Sequence, residues 1–459
     1  MDPDELTETK AELEAFVDDV FASLPRSDQR AKGNLYLRGL MLDGRRKSMQ
    51  PMGTRLGIDY QQLQQFVSAS PWRVEPVRRV LVRRALQLIG SDAWVVDDTG
   101  FKKDGAFSPC VARQYSGTLG KIGNCQIGVS IHAATDQASC PLDWRLYVPQ
   151  LWDDTCADTN EEAELIQARR AKAQLPETQR HRTKWAMALE MIDELAAWGH
   201  RPPALVGDAG YGEITAFRCG LTDRHIPYMV AVKASTSAFP DDAGTDVLEY
   251  SGRGPRPHQR RYLAAPSSLK DLVVAAGRSS LHQVTWRRGT KSRANNKTAS
   301  MKSRFIALRV RPANRDLPRG DDGSLPVEWL LAEWPTGAPA PTDYWLSTLP
   351  VSTPLQELVR LAKIRSRIEH DYRELKTGLG LAHFEGRTYA GWHHHMTLVT
   401  AAHLFITGLR LTRPKAGGAD VASTASSENS NESSPSISDA APTANNEPPP
   451  NQVLLGRVS

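Results

Sequence analysis

Ala93-Trp94-Val95-Val96-Asp97-Asp98-Thr99-Gly100 is an apolar run that ends in two adjacent acids. It reads as a buried strand with charge at its C-terminal end. A second run of the same design, Ala204-Leu205-Val206-Gly207-Asp208-Ala209-Gly210-Tyr211-Gly212, ends in Asp208. A third acid, Glu369, lies in Arg365-Ser366-Arg367-Ile368-Glu369, inside a long helical pattern. Two strand ends and a helix can deliver three carboxylates to one point. Phosphoryl transfer by two metal ions needs that arrangement, because ions roughly 3.5–4 Å apart clamp the attacking and leaving oxygens. Mg²⁺ takes hard oxygen ligands and keeps several waters, so a few carboxylates suffice.

Around the first run, Cys110–Tyr115, Asn124–Ala133 and the shorter Trp144–Val148 also read as strands. A helix at Lys184–Trp198, a strand at Ala204–Gly207, a helix near Thr215–Leu221 and a strand at Tyr228–Lys233 follow. Strands in series, then strands alternating with helices, imply a mixed sheet flanked by helices. Residues 234–350 break the rhythm. They are rich in Pro, Gly and Arg, with short β-like runs at Gln283–Trp286, Phe305–Val310, Trp329–Glu333 and Tyr344–Leu349. This predicts a mostly β insertion. A long helix from near Thr353 to about Thr377 and an apolar helix at His394–Leu411 come next. Residues 414–459 turn to Ser, Ala, Asn and Pro, a composition too poor in apolar groups to order itself.

Residues 1–90 are helical in pattern. Leu13, Phe16, Val17, Val20 and Phe21 form one apolar stripe, and a further helix runs from about Glu75 to Ile89. Between them, Ser48 and Asp59 are candidate N-caps and Gly57 a helix stop. Two short helices across a tight turn resemble a helix-turn-helix, with Arg45, Arg46 and Lys47 nearby as candidate DNA contacts. The expected organisation is therefore a helical DNA-binding region at 1–90, a first catalytic part at 91–233, the insertion at 234–350, a second catalytic part at 351–413, and a disordered tail at 414–459.

Net charge is +5, unevenly spread. Residues 25–90 carry thirteen Arg and Lys against four acids, and residues 252–311 carry fifteen against the single Asp271. Two basic blocks point to a polyanion, since neutralised phosphates release counterions; they also suit a plain solvated surface. Trp286-Arg287-Arg288 and Lys291-Ser292-Arg293 offer stacking and phosphate contacts. No run approaches the roughly 18 apolar residues of a membrane span. The acidic start lacks the pattern of a signal peptide, so the expectation is a cytoplasmic protein without a membrane partner. Five cysteines with no CxxC pair argue against a disulfide framework or a zinc knuckle. His393-His394-His395 point about 100° apart on a helix and share one ion poorly; a structural or DNA-facing role is expected.

On the long helix, Arg365, Glu369, Tyr372 and Lys376 are spaced i, i+4, i+7, i+11 and so share a face. A carboxylate between two cations there fits either a surface ion-pair ladder or a metal-binding acid beside phosphate-binding cations.

With these blocks in order, the chain resembles the DDE transposases of bacterial insertion sequences, in the subgroup with a β-rich insertion between the second Asp and the Glu. That subgroup carries Tyr-x2-Arg-x3-Glu-x6-Lys. Here Arg365, Glu369 and Lys376 match in register, and Ala362 stands at the Tyr position. Asp97-Asp98-Thr99-Gly100-Phe101 with Ala112–Gln126 resembles the first catalytic block, Gly207–Gly212 the second, and Tyr344–Ser347 with Glu369–Arg387 the third. The resemblance implies a ribonuclease-H-like α/β fold: a mixed sheet with helices on both faces, interrupted by the β insertion, plus the N-terminal helical domain. It implies Mg²⁺-dependent cleavage of double-stranded DNA at terminal inverted repeats, then strand transfer to target DNA by a homodimer. Two Mg²⁺ ions, replaceable by Mn²⁺, would be held by Asp98, Asp208 and Glu369. Arg365 and Lys376 would grip phosphates, with Tyr372 substituting for the absent tyrosine. Strand alternation alone leaves Asp97 and Asp98 open; the family pattern of Asp directly before Thr implies Asp98. Two other readings stand beside this one: a domesticated, non-catalytic DNA-binding protein, and a nuclease that cuts without joining.

Overall fold

The computed structural model describes residues 3–118, 120–247, 260–288, 300–314 and 316–413. Five helices come first: α1 (Pro3–Val20), α2 (Ser27–Met41), α3 (Met49–Leu56), α4 (Tyr60–Ser68) and α5 (Val74–Ile89). Strands β1 (Ala93–Lys102), β2 (Ala112–Ser116), β3 (Lys121–Ala134) and β4 (Ser139–Leu146) follow. The chain continues through α6 (Asn160–Lys172), α7 (Lys184–Ala197), β5 (Leu205–Gly207), α8 (Ala209–Gly212), α9 (Thr215–Asp223) and β6 (Tyr228–Val232). The next segment holds β7 (Ser237–Pro240), β8 (Thr245–Val247), β9 (Arg260–Tyr262), β10 (Ser267–Ser268), α10 (Leu269–Ala276), β11 (His282–Arg288), β12 (Ser300–Pro312), β13 (Glu328–Glu333) and β14 (Asp343–Ser347). Helices α11 (Leu355–Ile364), α12 (Ser366–Arg373) and α13 (Tyr389–Thr412) close it. Contacts gather Met1–Thr412 into one unit. The expected disordered tail, from Pro414 on, lies outside the described residues.

Among the described residues twelve strands form one mixed sheet, in the order β10-β7-β12-β13-β14-β6-β5-β1-β3-β2, with β4 also on β3 and β11 on β12. At its centre β1 runs antiparallel to β3 and parallel to β5, and β5 runs parallel to β6. Almost every residue of β1 is buried, which is why it reads as a continuous apolar run rather than an alternating one. The strands of segment 234–350 do not form a sheet apart. Through β14 on β6 they extend the central one, leaving only the β8–β9 pair separate.

The local signals for the short helices hold in part. Gly57 ends α3 at φ 66°, and the Asp59 side chain accepts from Gln61 N. Ser48 begins α3 without a side-chain cap. Helices α6 and α10 escaped the sequence reading. In α6 the residues are charged nearly all round, so no apolar stripe marks it, although Thr159 caps it through Glu162 N. Helix α10 sits in the segment expected to be β, capped by Ser268 through Asp271 N. The single helix expected over 353–377 is three pieces: α11, α12 after a break at Arg365, and a π-helical turn at Glu374–Gly378. A π turn adds one residue to the repeat and so re-aims the side chains beyond it.

Of the three consecutive histidines of α13, His394 and His395 are buried and His393 is half-buried. His394 faces the carbonyls of Val67 and Trp72 and stacks on Trp72. His395 donates from Nε2 to Gly380 O (3.1 Å) and accepts the Tyr36 hydroxyl at Nδ1 (2.9 Å). One side chain thus ties α13 to α2 and to the turn that comes after the Glu369 helix. No described helix is long and apolar enough to cross a membrane.

Replacing His395 by Leu strands the Tyr36 hydroxyl and the Gly380 carbonyl, so urea titration should show a loss of about 2–5 kcal/mol. Burial pushes the His395 imidazole down to about 4 from 6.5. The unfolded chain then binds the proton first, so this residue's contribution is full above pH 6.5 and is lost as pH falls towards 4. The Leu variant should lack that part of the acid sensitivity.

Candidate active site

Pleating turns Asp97 and Thr99 to one face of β1 and Asp98 to the other. On the first face lies α12, whose Tyr372 hydroxyl meets Ser130, the register partner of Asp97 on β3 (2.7 Å). Here Arg365, at the break between α11 and α12, reaches three acids from three elements. Its Nη2 donates to Asp97 Oδ2 at 3.0 Å and lies 3.7 Å from Asp208 Oδ2; its Nη1 lies 3.3 Å from Glu369 Oε1. Asp97 is buried, while the Glu369 side chain is 61% exposed.

Asp208 is fixed by the turn that the apolar run predicted. It caps α8, its Oδ1 accepting from Gly210 N (2.9 Å) and Tyr211 N (3.3 Å). A Cβ on Gly212 would come within 2.0 Å of Ala231 O, so only glycine lets this turn lie against β6.

The sequence expectation joined Asp98 to Asp208 and Glu369. The structure instead gathers Asp97 with them, and Asp98 faces α7, accepting from Lys184 Nζ at 2.8 Å. Period-two alternation is the reason, and Thr99 was the available signal: its side chain shares the Asp97 face and meets Lys376. Lys184 carried no motif and was missed.

Two further expectations change. Tyr372 is buried, with its hydroxyl on Ser130 and its ring against His132 and Trp144; it is placed in the core, not on a DNA-facing surface. Lys376, re-aimed by the π turn, donates to Thr99 Oγ1 (2.7 Å), Gly100 O (2.9 Å) and Thr118 Oγ1 (3.1 Å). All three of its N–H groups are spent on fastening β1 to the turn between β2 and β3, rather than held out for a phosphate. Burial brings its ammonium down to about 8.

Of the other candidate DNA contacts, Arg45 and Arg287 are exposed. Arg46 pairs with Glu385. Lys47 is buried, donating to Leu42 O, so it does not offer its charge to a ligand. The side chain of Arg288, with Lys291 and Arg293, lies outside the described residues.

Burial pushes the Asp97 carboxyl up to about 7; Arg365 works against this and Asp208 adds to it. Burial also opposes the charge of Arg365, but Asp97, Asp208 and Glu369 outweigh it. Among the described residues no three His, Cys, Asp or Glu side chains stand at metal-ligand spacing, because the guanidinium sits between the acids. The donor chemistry itself suits a hard divalent ion: three carboxylates share one positive charge. The buried Tyr211 hydroxyl beside them has no hydrogen-bond partner among the described residues.

A family model described as DDE superfamily endonuclease matches residues 19–293. That span includes both β1 aspartates and Asp208 and ends before Glu369. A probable transposase for insertion sequence element IS701 from Microchaete diplosiphon is 28% identical over 201 residues, covering 43% of this chain and 47% of that protein. The chain thus spans about half the length of this curated relative.

The folded Asp97 holds a proton that the unfolded chain releases above 3.8, so its ionisation erodes stability as pH rises from 3.8 through 7. Asp97→Asn should therefore raise the thermal midpoint, and by more at pH 8 than at pH 5.

Proposed function

The chain belongs to the DDE superfamily of endonucleases, and on that premise we propose that it is the transposase of an insertion sequence, cleaving DNA at the element's ends and joining the freed 3′ end to target DNA. The observation that carries the reading is the gathering around Arg365 of Asp97 from the middle of β1, Asp208 from just past β5 and Glu369 from α12. The strand order β3-β1-β5-β6, antiparallel and then parallel, supports the ribonuclease-H-like assignment. The resemblance of the insertion-sequence relative supports the DNA substrate.

In this reading the three acids hold two Mg²⁺ or Mn²⁺ ions. Divalent ions held by Asp97, Asp208 and Glu369 would supply activation of the attacking water or 3′-hydroxyl and stabilisation of the leaving oxygen. Arg365 has two positions to serve. Without DNA it neutralises the acids; a phosphodiester offers its planar fork a bidentate partner, and moving there frees the carboxylates. Metal and DNA should then bind cooperatively, each raising the other's affinity by the same factor. Lys376 and Thr118 hold the floor of the site rigid, and Lys184 sets the charge on the opposite face of β1 through Asp98. The acid sites act within a pair of chains on paired DNA ends.

The test is Mg²⁺-dependent nicking of labelled DNA carrying the element's ends. Asp97→Asn, Asp208→Asn and Glu369→Gln should each lower the rate by at least about 10³-fold, the scale of losing a transition-state contact, with DNA affinity retained. Asp98→Asn should cleave. Should Asp98→Asn be dead and Asp97→Asn active, the face assignment falls. Binding without cleavage in Mg²⁺ or Mn²⁺ by the unaltered protein would leave the non-catalytic DNA-binding reading. In the absence of DNA, Arg365→Gln should bind Mn²⁺ more tightly than the unaltered protein, as read by electron paramagnetic resonance.

A further inference from the structure

The turn that Lys376 fastens to β1 belongs to a hairpin with an unusual surface. Strand β2 ends the sheet order, and on it Tyr115 is 63% exposed; its direct partner on β3, Ile122, is 61% exposed. Phe107, in the loop leading into β2, is 66% exposed. Among the described residues Phe107 and Tyr115 are the two most exposed aromatic rings, and both fall within ten residues of chain beside the site. Exposed rings of this size cost solvation unless something covers them.

The surroundings are basic. Arg113 shares the face of Tyr115 two residues away, and Lys102, Arg113 and Lys121 are exposed. Arg387 lies over the Phe107 ring at 5.5 Å. The opposing charges are Asp104, 3.5 Å from Lys102, and Glu385, already paired with Arg46. Thr118 at the turn contacts Lys376 and Thr99, so the hairpin is held against the strand that carries Asp97. Flat apolar faces interleaved with cations are the chemistry of single-stranded nucleic acid, since every base offers a π-face and the backbone offers charge.

We propose that Tyr115 and Ile122, with Phe107, form a stacking platform for unpaired DNA bases next to the scissile phosphate. This rests on the DNA-cleaving reading above. The platform takes bases, not duplex, because a paired base hides its faces within the stack. Its partner is the strand that frays when the site engages a phosphate.

The test uses the full chain, a short fluorescein-labelled single strand and a blunt duplex of the same sequence, read by anisotropy. The Tyr115→Ala/Ile122→Ser double variant should lose about tenfold in affinity for the single strand, within the range of one stacked base, and change little on the duplex. Tyr115→Phe, which keeps the ring, should bind as the unaltered protein does. Equal losses on both probes, or no loss on the single strand, overturn the platform while leaving the nuclease reading intact. So does a variant with intact DNA binding and a changed sedimentation coefficient, which would make this face a contact between copies. An unaltered protein that binds neither probe overturns the DNA reading itself, and the platform with it.

Discussion

One guanidinium holds the site together. Arg365 stands between carboxylates contributed by β1, by the turn after β5 and by α12. Like charges about 4 Å apart repel by about 4 kcal/mol at the dielectric of a protein surface, so three acids gathered without a cation would splay or protonate. Asp97, the most buried of them, has its carboxyl raised to about 7 by burial first and by Asp208 only in addition, with Arg365 opposing both. The positions of the other groups are consequences of this neutralisation. Asp208 is held in place by capping α8, and Glu369 faces solvent. The break between α11 and α12 falls at the residue that does the neutralising.

The central sheet was legible because its strands are buried on both faces. Ala93–Val96 and Leu205–Gly207 have nowhere to lie but the middle of a sheet, and each apolar run ends in an acid. The turn after Asp208 was legible as well, from Gly210 and Gly212. Other features were hidden for physical reasons. Helix α6 presents charge on nearly every side, so hydrophobic period cannot reveal it. A π turn leaves no mark in residue spacing, yet it moved Lys376 from a supposed phosphate contact to the floor of the site. Two adjacent aspartates differ only in which way a pleat turns them, and their own sequence says nothing of that. Lys47 looked like surface charge from its basic neighbours, and burial in the contact between the N-terminal helices and the Gly380 turn was not readable locally.

The family model and the geometry cover different parts of the case. The match spans residues 19–293, which carries the β1 and β5 acids and much of the sheet. Glu369 enters on geometry: it is an acid, i+4 from Arg365, on a helix packed over β3 and β4. Tyr372 beside it spends its hydroxyl on Ser130, in a chain that continues through His132 to Asp371. That buried chain clamps α12 to the sheet and so fixes the height at which Glu369 stands.

The parallel pairing of β1 with β5 places residues more than a hundred apart in the chain side by side, and α11 must then come over β5 while α12 lies over β3 and β4. A chain emerging from the ribosome therefore carries its first acid long before its last, and the Arg365–Asp97 contact that unites them closes a loop of 268 residues. Helix α13, last to appear, docks against the first helices through His394 and His395. The three acids cannot meet until α12 has been made, and a message truncated before Glu369 yields a protein with at most part of the candidate site. For a chain of the DDE endonuclease superfamily, the order of its strands acts as a safety catch set by translation itself.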